Sequence, residues 1–274
     1  MHLKFGVKIL VLTPVLASLI FGVLCAFLLL TSPLEIYAVT PFNEGTGSIG
    51  NAIYFVMLVG AGAGLIYFLI KKKNQKLISL ITGFALTMAF FIFSLIYLSA
   101  LFSSFMIYGA DVLVLALSIL ITFMADYAVF RSKSAVCNVV ILCLGGALGA
   151  FLGISIPTLS TVLILIFLAV YDAFAVYRGP VGKIAHSGLE QLKGLSFSFM
   201  DIQMGLGDLT FYSMLSGHML LNFGLASCVA SIVGILFGCL LTFKMVEKKK
   251  MFPGLPFPII FGLAAGFSAS LLGL

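Results

Sequence analysis

Only nine of the chain's 274 residues are acidic, and two of them, Asp172 and Asp208, fall inside long apolar runs that contain no Lys or Arg. Two unpaired carboxylates in a low-dielectric setting cannot both ionise, so the stable state shares one proton between them. The ionised member can take a proton from water, and the protonated member can polarise a carbonyl. That is general acid–base hydrolysis without a covalent intermediate. The same residues could serve proton or cation transport, or a structural carboxyl–carboxylate bond.

The elements that must position them follow from composition. Apolar residues make up 62% of the chain and charged residues 9%, with a mean hydropathy of +1.25. A soluble domain is nearer half apolar and about a quarter charged, so the chain reads as a polytopic membrane protein. Nine segments reach the ~20 apolar residues a spanning helix needs: 6–30, 49–70, 77–101, 106–130, 135–156, 159–177, 203–222, 224–243 and 255–274. The apolar run after Lys4 and Lys8 continues to Leu30, too long for a signal-peptide core, and is read as a retained first span. Little remains for a soluble region, so residues 1–274 are expected to form one all-α integral-membrane domain, with loops at 31–48 and 178–202.

Segment 203–222 has poor hydropathy, and charge argues that it crosses. With the N-terminus inside and strict alternation, all 15 basic residues fall on the inner side. They are Lys4 and Lys8; Lys71, Lys72, Lys73 and Lys76; Arg131 and Lys133; Arg178, Lys183 and Lys193; and Lys244, Lys248, Lys249 and Lys250. This is the positive-inside pattern, and it predicts an N-in, C-out protein. The formal charge of +6 is thereby assigned to orientation, with no nucleic-acid partner.

Asp172 lies six residues before Arg178, and Asp208 seven past Asp201, so both sit ~9–10 Å inside the same boundary on adjacent antiparallel helices. The remaining acids have plainer readings. Glu35, Glu44, Glu190 and Glu247 lie in loops. Asp126 is expected to pair with Arg131 or snorkel. Asp111 is expected to serve helix-end solvation or an interhelical hydrogen bond. Cys25, Cys137, Cys143, Cys228 and Cys239 read as buried free thiols, and with His2, His186 and His218 scattered, no metal site or cofactor is expected. Gly145, Gly149 and Gly153 share one helix face and suit close packing in lipid. Gly60, Gly62 and Gly64 are read the same way.

Two local patterns surround the carboxylates. Gly205-Leu206-Gly207 precedes Asp208, and glycine there allows a backbone to approach closely and leave helical geometry. An extended substrate strand could pair at such a place; cleavage inside a membrane requires one, because a helix hides its peptide bonds. Pro253-Gly254-Leu255-Pro256-Phe257-Pro258 follows Lys250 and places three prolines where no regular helix start is expected.

These residues resemble the presenilin and signal-peptide-peptidase family of intramembrane aspartyl proteases. Its Tyr-Asp signature appears as Tyr171-Asp172, its Gly-x-Gly-Asp as Gly205-Leu206-Gly207-Asp208, and its Pro-Ala-Leu as Pro253-Gly254-Leu255, in family order and in segments six, seven and nine. Gly254 stands where the family has Ala and keeps the residue small. The resemblance implies that Asp172 and Asp208 are the catalytic pair, and that Tyr171, Gly205, Leu206, Gly207, Pro253, Gly254 and Leu255 shape the site and position substrate. It implies that the substrates are transmembrane helices of other proteins. The presenilin-like orientation favours type I substrates, and the short loops suggest a compact single-chain relative in a prokaryotic cell membrane. The competing reading from the same residues is a proton- or cation-coupled transporter.

Overall fold

The structure is a computed structural model that describes residues 9–72, 74–105, 109–131, 134–177, 196–199, 202–249 and 252–273. After a 3-10 turn at Ile9–Leu12 come α1 (Thr13–Thr31), α2 (Ser48–Lys71), α3 (Gln75–Ser104), α4 (Asp111–Arg131), α5 (Ser134–Ser155) and α6 (Thr158–Tyr177). A two-stranded hairpin, β1 (Ser196–Phe199) and β2 (Ile202–Gly205), leads into α7 (Leu206–Lys249), and α8 (Pro256–Leu271) follows. Among the described residues seven helices are long and apolar enough to cross a membrane, while α8 is shorter.

The strands correct the helical reading of 203–205. β2 pairs antiparallel with β1, Gly205 facing Ser196, and the helix starts only at Leu206. The rest of the 178–202 loop, with Asp201, lies outside the described residues.

Helix α7 is two arms. Gly224 breaks it with φ +85° and ψ 179°, a conformation essentially reserved for glycine. A Cβ built on Gly262 of α8 would stand 2.8 Å from Leu215 of the first arm and 2.7 Å from Ile235 of the second. A straight helix would hold residues 215 and 235 about 30 Å apart, so the arms fold back on each other.

Close contacts also give relative directions. Ser18 donates to the Leu142 carbonyl at 2.8 Å, and Gly22 meets Gly146, so α1 and α5 run parallel. Gly145 meets Leu209, Gly149 meets Thr210 and Ser213, and Gly153 meets Met214 and His218; α5 and the first arm of α7 are parallel too. Gly262 meets Leu215 and Gly266 meets Met219, which aligns α8 with that arm. Gly234 meets Phe261 and Gly238 meets Pro258, so the second arm runs opposite to α8.

The glycine stripe of α5 thus carries the helix that bears Asp208. A side chain at Gly149 or Gly153 would run into the backbone of Thr210 or Met214. The expectation for Gly62 and Gly64 is corrected, because both face open space, and only Gly60 meets a neighbour, the Tyr171 ring. Helix α2 is accordingly peripheral, burying only Ser48, Asn51, Ala52 and Leu69. Its N-terminal end is pinned by hydrogen bonds. Asn51 donates to the Ser160 hydroxyl at 2.9 Å and to the Phe42 carbonyl at 3.0 Å, and Glu44 accepts from the Leu159 amide at 2.9 Å.

Asp126 departs from its expected pairing with Arg131. It accepts a 2.8 Å hydrogen bond from Thr87 and so ties α4 to α3, while its Oδ1 is buried with no partner. Asp111 is exposed in the first turn of α4, where a carboxylate suits the positive end of the helix dipole. Cys25, Cys228 and Cys239 are fully buried and Cys137 and Cys143 partly so. Among the described residues no group of three or more His, Cys, Asp or Glu side chains comes together.

Candidate active site

Three pieces of chain converge. Asp172 comes from the last third of α6. Asp208 sits in the first turn of α7, directly after the strand. Between them passes the segment 253–255. The backbone amide of Leu255 donates to Asp172 Oδ2 at 3.0 Å. A Cβ on Gly254 would lie 2.7 Å from Asp208 Oδ2 and 3.1 Å from its Oδ1. Combined with standard backbone lengths, these contacts place the two carboxylate oxygens within roughly 9 Å of each other. Both aspartates are half-buried.

The 253–255 segment is held from several sides. Pro253 and Leu255 are buried. The Tyr212 hydroxyl donates to the Gly254 carbonyl at 2.8 Å. Phe252 stacks on Phe257 with centroids 5.3 Å apart and meets Tyr177 of α6 edge-on at 6.4 Å. Contrary to the expectation from the sequence, the prolines do not prevent a helix start. Pro256 opens α8 and Pro258 lies in its first turn, where the missing N–H donors have no intrahelical partner to lose.

The other predicted positions surround this meeting point at different ranges. The Tyr171 ring lies against Gly60 of α2. Gly205 lies beside Asp208, its would-be Cβ 3.9 Å from Oδ2, and Gly207 is exposed with Phe211 nearby. Leu206 turns toward α5, 3.3 Å from the Cβ position of Gly145, and packs on a cluster of Leu86, Phe90, Ala125, Val129 and Leu144. It anchors the strand-to-helix junction. Tyr212 was not singled out from the sequence. Its spacing was the available signal, since it stands four residues after Asp208 and so on the same helix face.

Helices from one membrane-embedded bundle therefore bring two carboxylates to a proline-flanked turn of backbone beside a short sheet. These features define a multi-pass integral membrane protein with a paired-aspartate site. Comparison with known families agrees with that class. The family model described as signal-peptide peptidase, presenilin aspartyl protease matches residues 16–185, and the presenilin family model matches residues 183–273. The chain belongs to the signal-peptide peptidase and presenilin family and is an intramembrane aspartic protease.

Two solved structures of a presenilin family intramembrane aspartate protease share the fold. The form in space group C222 superposes with a TM-score of 0.69 at 20% identity, covering 95% of this chain and 97% of the other. The P2 form gives 0.69 at 19% identity, with 99% of each chain covered. No curated protein matches the chain.

Proposed function

We propose that Asp172 and Asp208 hydrolyse peptide bonds within transmembrane segments of other membrane proteins, sharing one proton between them. The observation that carries this reading is that both carboxylates bear on one backbone turn, Asp172 through the Leu255 amide and Asp208 against Gly254. The ionised carboxylate removes a proton from water as the water attacks the scissile carbonyl carbon. The protonated carboxyl donates to the carbonyl oxygen. Collapse of the tetrahedral intermediate returns a proton to the leaving amine, and no covalent enzyme intermediate forms.

Substrate must be unwound to expose its backbone. The β1–β2 hairpin runs directly into Gly205-Leu206-Gly207-Asp208, so a substrate strand adding beside it would be led to the aspartates by main-chain hydrogen bonds. Tyr171, Gly205, Gly207, Pro253, Gly254 and Leu255 shape that passage, and Leu206 fixes its base.

The whole chain acts as one membrane domain with nine crossings: α1 to α6, the two arms of α7, and α8. The parallel runs of α1, α5, the first arm of α7 and α8 support that alternation. The basic residues orient it with the N-terminus inside and the C-terminus outside, as expected for type I substrates in a prokaryotic cell membrane.

The test is cleavage of a single-span reporter by the purified full-length protein in lipid vesicles. Asp172→Asn and Asp208→Asn should each remove cleavage by at least ~10³-fold, with helical content unchanged by circular dichroism. Substantial residual cleavage by either variant sinks the assignment. Ion flux that depends on either Asp, in the absence of proteolysis, would establish the transporter reading instead.

A further inference from the structure

A cavity of about 490 Å³ lies between α1, α3, α4 and α5, away from the aspartates. Phe90, Ser94, Tyr97 and Leu101 line it from α3. They share one helix face, and Phe90 to Leu101 spans ~16 Å along the axis. Spread over that length, the volume describes a slot about 9 Å across at the atom surfaces, narrower than a helix 10–12 Å in diameter. A substrate helix is therefore excluded, whereas a single unbranched hydrocarbon chain fits.

The lining states the chemistry. It contains no charged residue, and the Tyr97 hydroxyl is already committed to the Ala147 carbonyl at 2.7 Å. The floor is buried at Phe90 and Leu144, whereas Leu24 and Val139 at the rim are 62% and 57% exposed. In a membrane that rim faces lipid, not water. A narrow apolar slot running along the helices and opening to lipid has hydrocarbon as its natural occupant.

We propose that this slot is a binding site for one acyl chain of a bilayer phospholipid, with the headgroup outside it. The slot shares Phe90, Ala125 and Leu144 with the cluster that seats Leu206, so the chain would occupy the far side of the anchor that holds the β2–α7 junction.

The test uses full-length protein in vesicles of phosphatidylcholine carrying a diazirine in one acyl chain, with adducts mapped by mass spectrometry after irradiation. Adducts are expected at Tyr97 and Cys143 inside the slot, as well as at the outward-facing Phe84 and Phe123. Ser94→Trp should fill the slot and reduce labelling of Tyr97 and Cys143 to the level of an unirradiated sample, leaving Phe84 and Phe123 labelled. Leu98→Trp, four residues further along the same face, should give the same loss and stands in if Ser94→Trp does not fold. The proposal is overturned if Tyr97 and Cys143 stay unlabelled while Phe84 and Phe123 react. It is equally overturned if slot labelling persists in a folded tryptophan variant.

Discussion

Asp208 rests against the α-carbon of Gly254, so closely that a single methyl group there would stand 2.7 Å from its Oδ2. The sequence suggested that glycine merely keeps this position small. The contact gives it a specific consequence, because alanine here must displace either the carboxylate or the 253–255 segment. Gly254→Ala is expected to lower kcat about tenfold, equivalent to ~1.4 kcal/mol of transition-state stabilisation, with little change in thermal stability. Steady-state cleavage of a reporter checks this, and an unchanged kcat would show that the carboxylate yields freely.

Tyr212 is buried and donates to the carbonyl of the same glycine. Removing a hydrogen bond at a buried carbonyl costs on the order of 1–3 kcal/mol. Tyr212→Phe should therefore loosen the 253–255 segment and lower kcat more than it raises KM. An equal loss of stability without any loss of kcat would assign Tyr212 to packing alone.

A pair that works with one proton has two limits in pH. Below the lower macroscopic pKa both carboxyls are protonated and no base remains. Above the upper one both are ionised and no acid remains. The kcat/KM profile should be bell-shaped. A rate constant that stays flat between about pH 4 and 9 would contradict the shared-proton mechanism.

The glycines of α5 and α2 make opposite predictions from the same substitution. Gly149→Ala drives a methyl into the Thr210 backbone and should destabilise by ~1–3 kcal/mol or more, as overpacking does. Gly62→Ala meets nothing and should be neutral or slightly stabilising, since alanine is the better helix former. Thermal unfolding of the two purified variants, side by side, distinguishes them.

Much of this protein was legible as sequence. Apolar run length marked the helices because lipid offers no partner for an unpaired backbone. The scarcity of acids drew attention to Asp172 and Asp208, and the motifs around them located the Gly254 segment. Other features were not legible, because they depend on which surfaces meet. Gly62, Gly64 and Gly149 look alike in sequence, yet only Gly149 faces a neighbouring backbone. Asp126 has Arg131 nearby along the chain, but α3 brings Thr87 to it instead. The strand at 202–205 depends on β1 pairing beside it. Periodicity and composition record what each segment requires of its surroundings. Only the packing of the helices decides which residue meets that need, and it is packing that brings Asp172, Asp208 and the Gly254–Leu255 backbone to one place.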